Sequence, residues 1–229
     1  MKSQRIEQIV KSLQLEIYKS RFSLWAGEVP PQPHQMCTAD VAARVLGVNF
    51  EQLDELGHFG NSHGRFEVAG LINRDEGQIA ISKRFDMDVR RFTAAHEIGH
   101  WVLHQDKHVL HRDRPLKGIS TSRVPRTLDE QEADYYAACF LVPQKQLLRQ
   151  FETRFGPLES FRFNDGTAFG LNPRNPSQLL TSSSDSLEWE AAIASAIRYH
   201  GEFFESLTEF FKVSTSTMAI RLREIGLGK

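Results

Sequence analysis

Long apolar runs are missing from this sequence. Nowhere do hydrophobic residues approach the roughly 18–20 in succession that span a bilayer as a helix. The opening MKSQRIEQIV is charged and amphipathic, with no apolar signal core. No membrane segment is expected. Cysteine is scarce as well. Cys37 and Cys139 are the only two, too few for a disulfide framework or a thiolate zinc cluster. A reduced, cytoplasmic protein is the simplest expectation, and any metal must then rest on histidine and carboxylate ligands. An excess of one charge is also absent. With 28 Lys and Arg against 29 Asp and Glu, the formal net charge is -1, which argues against a general nucleic-acid binder or a polybasic membrane surface. A local basic patch stays allowed.

What is present is the composition of a globular protein, 40% hydrophobic and 25% charged over 229 residues. That length suits one substantial domain, or one domain with a small appendage. Ile6, Ile9, Val10, Leu13 and Ile17 recur at helical spacing and predict a helix over about 4–20. The prolines of GEVPPQPH (27–34) exclude a helix there. Thr38 is placed to cap a helix ending before Gly47, and Asn49 another ending before Gly57. RFEVAGLIN (65–73) and QIAIS (78–82) alternate at period two around Asp75-Glu76-Gly77, which predicts a β-hairpin packed on helices. Long helices follow at about 88–104 and 129–142, the second broken at Pro143 before QKQLLRQFETRF resumes helical spacing. After a Gly-, Pro- and Ser-rich stretch (161–186), helices are expected near 187–199, near 203–211 and beyond Val213. An α+β core with an all-helical tail results.

Inside the first long helix stands FTAAHEIGHWVLH (92–104), containing His96-Glu97-Ile98-Gly99-His100. Residues four apart share a helix face, so both imidazoles can reach one Zn²⁺ while Glu97 beside them accepts a proton from water. An accidental H-E-x-x-H has odds of about 3% in a chain this long. Gly99 strengthens the reading, because glycine in mid-helix costs about 1 kcal/mol and makes sense where another element approaches closely. A third ligand is needed. Asp106 occupies the position six residues after His100, which excludes the spacing with a third histidine there. His104 shares the face but lies about 12 Å along the axis from His96; it is a helix-end or packing residue, or a substrate contact. The second helix offers Glu130, Glu132 and Asp134. Glu130 and Asp134 share one face, so one can bind metal while the other accepts a ring N–H. Glu132 is expected to point toward Tyr135, Tyr136 and Cys139, and remains the alternative ligand. A capping box fits either Thr127 with Glu130 or Asp129 with Glu132.

RRFTAAHEIGHWVLH, preceded by VAGLINRDEGQIAIS and followed by EQEADYYAACFLVP, resembles the ImmA/IrrE family of zinc metallopeptidases, the M78 peptidases, over roughly Arg65 to Leu148. The resemblance implies a zincin-like core with a small antiparallel sheet and the H-E-x-x-H helix. It implies His96, His100 and Glu130 as zinc ligands, Glu97 as catalytic base and Asp134 as the carboxylate behind a histidine. It also implies an endopeptidase acting on a helix-turn-helix repressor, in transcription regulation or stress response.

Tyr135, His104, His108 and His111 are candidate oxyanion or substrate contacts. The loop 105–126 carries six Lys and Arg against two Asp, as a solvated surface or as a lid for an acidic segment or nucleic acid. LTEFFKVSTSTMAIRLREIGL (207–227) resembles a helix-turn-helix arrangement, with Ser214 as a helix cap. A net +2 over 207–229 gives weak support to DNA binding, against docking of a partner repressor. The domain expectation is a metallopeptidase domain over 1–186 and a helical module over 187–229. The alternative to a protease is a zinc-containing regulator that acts by binding.

Overall fold

The computed structural model describes residues 2–61, 64–105, 110–113 and 127–228, with backbone only at 2, 61, 64–65 and 110–113. Contacts divide the chain into two compact units, Met1–Leu141 and Val142–Lys229. The junction expected at 186–187 falls inside the second.

The first unit opens with α1 (Lys2–Lys19) and α2 (Arg21–Leu24), followed by α3 (Ala39–Leu46). Ile6, Val10, Leu13 and Ile17, spaced for one helix face, are all buried. Gly47 ends α3 in the left-handed region at φ 70°, and Val48 N–H donates back to the Ala43 carbonyl at 2.9 Å. This closure satisfies carbonyls the helix leaves open and turns the chain into β1 (Asn49–Leu53).

A helix was expected from Asn49; a strand stands there instead. Asn49 N–H donates to the Gly77 carbonyl, and β1 runs parallel to β5 (Gln78–Ser82). Pairing with a buried strand overrides the weak local preference, and β1 itself is largely exposed, as an edge strand can be. The expected single strand over 65–73 is also divided. β2 (His58–Asn61) and β3 (Gly64–Glu67) form a separate two-stranded ribbon, whereas β4 (Gly70–Asn73) joins the main sheet. Val68 and Ala69, between them, turn inward and are buried. A change of sheet leaves the period-two pattern intact, so the sequence carries no mark of it.

The main sheet has the order β1-β5-β4-β6, with β6 at Leu110–Asp113. Its β4–β5 and β4–β6 pairs are antiparallel and its β1–β5 pair is parallel. The sheet is therefore mixed, not the antiparallel one expected. Ile79, Ala80, Ile81 and Ser82 of β5 are all buried, as in a strand covered on both faces.

Two long helices complete the unit: α4 (Met87–Leu103) and α5 (Leu128–Leu141). α4 packs on β4, β5, α3 and α5, and α1 packs on α5. Thr93 to His100 are buried without interruption, because that stretch of α4 is enclosed by sheet and helix together.

The second unit comprises α6 (Gln144–Phe155), α7 (Asp165–Leu171), α8 (Pro176–Leu180), α9 (Glu188–Ser195), β7 (Arg198–Tyr199), β8 (Glu202–Phe203), α10 (Leu207–Phe211) and α11 (Thr215–Glu224). The helices expected over 187–199 and 203–211 are shorter, with a β7–β8 hairpin at their facing ends. Phe151, Phe155, Phe161 and Tyr199 form an edge-to-face aromatic cluster. Ser214 caps α11 by accepting from Thr217 N–H, as expected. Ser206 forms a full capping box with Glu209 on α10. Two of the basic residues of α11 are committed within the unit. Arg221 is buried and donates to the Val142 carbonyl and to Glu224. Arg223 pairs with buried Glu190 and donates to the Asp185 and Ser186 carbonyls. Both guanidinium groups satisfy internal acceptors, which weakens the case for phosphate contacts through this helix.

Candidate metal centre

α4 and α5 cross at Gly99. A Cβ added there would lie 3.1–3.2 Å from Tyr136 and from the Ala133 carbonyl. The bare glycine permits the close approach that the mid-helix position suggested, and it brings the start of α5 beside the α4 histidines.

His96 Nε2 and His100 Nε2 lie 2.9 Å apart, and the Glu130 carboxylate closes on both. Glu130 Oε2 is 3.5 Å from His96 Nε2, and Oε1 is 3.4 Å from His100 Nε2. One donor atom from each of the three residues lies within 4.8 Å of the others. Two imidazole nitrogens and a carboxylate, all facing one point, are a donor set that suits zinc or a related divalent metal. The protonation states agree with this. Burial pushes His100 down to about 4, so at neutral pH it is uncharged and keeps the lone pair a metal needs. Burial opposes ionisation of Glu130, but hydrogen bonds to His100 and His96 outweigh it and hold the carboxyl well below the ordinary range. The residues fit a metal.

The far side of His96 is fixed by Asp134, whose Oδ1 lies 3.0 Å from Nδ1. Such a carboxylate sets the tautomer that leaves Nε2 free to ligate. At the start of α5 the Thr127 hydroxyl accepts from Glu130 N–H at 3.3 Å. Thr127 thus serves the cap, while the Glu130 side chain goes to the histidines. Glu132, expected toward Tyr135, Tyr136 and Cys139, also reaches the end of α4. Its Oε2 lies 3.3 Å from His104 Nε2, because Asp129 and Glu132, three apart, share the α5 face that reaches the end of α4. His104, Asp129 and Glu132 form a second group whose donor atoms are also mutually close.

Glu97 is fully buried on a different flank of α4. A Cβ on Gly70 of β4 would come within 2.2 Å of its Oε1, so any other residue there would displace this carboxylate. The β4–β5 turn supplies a further device, Arg74. Its Nη2 donates to the carbonyls of His100 at 2.7 Å and His104 at 3.2 Å, and its guanidinium stacks on Trp101 at 4.7 Å. The last-turn carbonyls of α4 are thereby capped by a cation, as the helix dipole favours. Neither Gly70 nor Arg74 stood out in the sequence. Gly70 is an isolated glycine in a strand pattern, which marks close backbone approach, and this was the available signal.

Of the other candidate contacts, the Tyr135 hydroxyl donates to Glu7 Oε1 of α1 at 2.6 Å. His104 is buried beside His100. His111 lies on β6, with its backbone opposite Ile72. His108 and the rest of the basic loop, apart from Gln105 and the β6 backbone, lie outside the described residues.

Two helices that converge a His pair and a carboxylate, with a buried glutamate on another flank of the same helix against a small sheet, define the class: a mixed α and β domain with the donor set of a metallopeptidase. The chain belongs to the IrrE N-terminal-like domain family (Peptidase M78), whose sequence profile matches residues 49–170, more than half its length. Membership supports peptidase activity. No curated protein matches the chain. Among the described residues, no helix is long and apolar enough to cross a membrane.

Proposed function

We propose that this protein is a zinc-dependent endopeptidase that hydrolyses peptide bonds of a regulatory protein, a DNA-binding repressor of the helix-turn-helix kind. The observation that supports it most is the convergence of His96 Nε2, His100 Nε2 and the Glu130 carboxylate, with buried Glu97 following His96 on the same helix. His96, His100 and Glu130 would hold the ion, and Asp134 would orient His96. The ion would supply Lewis acidity toward water and the scissile carbonyl. Glu97 takes the proton from the attacking water and returns it to the leaving amine nitrogen. Its buried position against β4 keeps competing solvent away from the carboxylate. The substrate class and a role in transcription or stress control rest on family membership.

The test uses the full-length protein and a candidate repressor substrate. Wild type with zinc is expected to cleave it, and Glu97→Gln is expected to bind zinc equally and leave it intact. Full cleavage by Glu97→Gln would overturn the proposed base. Equal effects of both proteins on repressor activity without cleavage would favour the non-proteolytic regulator.

A further inference from the structure

His104 lies outside the first donor group, yet its ring bridges that group and two carboxylates. His100 Nδ1 is 3.0 Å from His104 Nδ1. His104 Nε2 is 3.3 Å from Glu132 Oε2 and 3.9 Å from Asp129 Oδ1. By distance alone His104, Asp129 and Glu132 qualify as a second metal site.

Counting protons decides between the two roles. A neutral imidazole has one N–H and one lone pair. With the Nε2 lone pair of His100 given to a metal, its proton sits on Nδ1 and faces His104 Nδ1, which must accept. The proton of His104 then sits on Nε2, aimed at the Glu132 and Asp129 carboxylates, which accept in turn. In each of these contacts a donor then faces an acceptor. A metal on His104 Nε2 would force its proton onto Nδ1 instead. Two N–H donors would then oppose each other at 3.0 Å. The first site filled therefore excludes the second.

We infer that His104 is a positioning residue for His100, that Glu132 and Asp129 fix its tautomer, and that these three residues do not hold a second ion. The two liganding histidines are thus backed differently: His96 by a carboxylate directly, His100 by an imidazole that is itself backed by carboxylates.

The inference rests on the proposed zinc site, and the experiment separates the two. Zinc stoichiometry and affinity are measured on full-length wild type, His104→Asn and His104→Leu by metal analysis and by competition with a chromophoric chelator. Asn and Leu are nearly equal in size, but only Asn keeps an acceptor near the position of Nδ1. One zinc per wild-type chain is expected. His104→Leu should bind about 10–100-fold more weakly and His104→Asn within about threefold of wild type, the scale on which partners behind a liganding histidine act. A packing role would rank Leu equal to or above Asn. Should both variants fail to fold, Glu132→Leu keeps the ring and is expected to weaken zinc binding by a smaller factor. Two zinc ions per wild-type chain, a His104→Leu or Glu132→Leu protein with wild-type affinity, or an Asn variant no better than Leu would each overturn the inference. Wild type without zinc would instead overturn the metal site itself, and this inference with it.

Discussion

The two flanks of α4 hold their functional side chains by different means. Toward α5, each histidine is fixed by hydrogen bonds: Asp134 lies against His96, and His104 against His100. Toward β4, Glu97 occupies room left by Gly70, where the nearest hypothetical Cβ would fall 2.2 Å from its carboxylate oxygen. Directional bonds suit ligands, whose ring orientation and tautomer must be set. Room suits a base whose carboxylate must be correctly placed, because a side chain at position 70 would push it aside. The contrast says which substitutions should affect metal and which should affect turnover alone.

The largest effect on the β4 flank is expected from Glu97→Gln. Turnover of a peptide substrate should fall by about 10²–10⁴-fold, the usual contribution of a positioned base, with zinc content unchanged. Loss of zinc along with activity would break the division between flanks. Gly70→Ala is the sharper version, since it keeps the carboxylate and only displaces it. A misplacement near 1 Å costs on the order of 10²-fold in rate, so kcat should drop by about that factor while zinc affinity stays near wild type. A Gly70→Ala enzyme with normal kcat would mean that the room beside Glu97 is not needed.

On the α5 flank, Asp134→Leu removes the acceptor behind His96. Zinc affinity should fall by about 10–100-fold, measured by chelator competition. An unchanged affinity would show that His96 does not depend on its carboxylate for orientation.

The flanks were not equally legible in the sequence. His96 could be paired with His100, and Glu130 with Asp134, because i,i+4 spacing is a rigid rule within one helix, and Gly99 announced that another element would come close. The choice of Glu130 over Glu132 came from the family resemblance. The contact of Glu132 with His104 was not legible, because a helical wheel gives angles on one helix and not the crossing of two. The offset between α4 and α5 decides that Asp129 and Glu132 meet His104. β1 was read as a helix because a five-residue edge strand gets its identity from β5, which is distant in sequence. The β4 flank was almost silent, since the information there is the absence of a side chain at Gly70.

Acid should act on the α5 flank first. In the unfolded chain His100 protonates near 6.5, but in the fold only at about 4, because of burial. Between those values the unfolded state binds the extra proton, so stability is fully present above pH 6.5 and falls as pH drops toward 4. This group contributes a slope of up to about 1.4 kcal/mol per pH unit. Glu130, held ionised in the fold, adds loss in the same direction once pH falls below its ordinary 4.5. Urea unfolding of the metal-free protein at pH 7, 5.5 and 4.5 should show this decline; equal stability at pH 7 and 4.5 would contradict it.

The smallest effect expected is from Arg74→Met, which keeps an apolar stem against Trp101 but removes the donors to the His100 and His104 carbonyls. A cation at a helix C-terminus and its hydrogen bonds are worth about 1–2 kcal/mol together, so the metal-free protein should lose that much stability in urea unfolding. Zinc affinity should fall less than in Asp134→Leu, because the rings keep their acceptors and only the backbone that carries them is loosened. An Arg74→Met protein weaker for zinc than Asp134→Leu would invert the order. The α5 flank would then owe its geometry to the capped end of α4 more than to the carboxylates behind the rings.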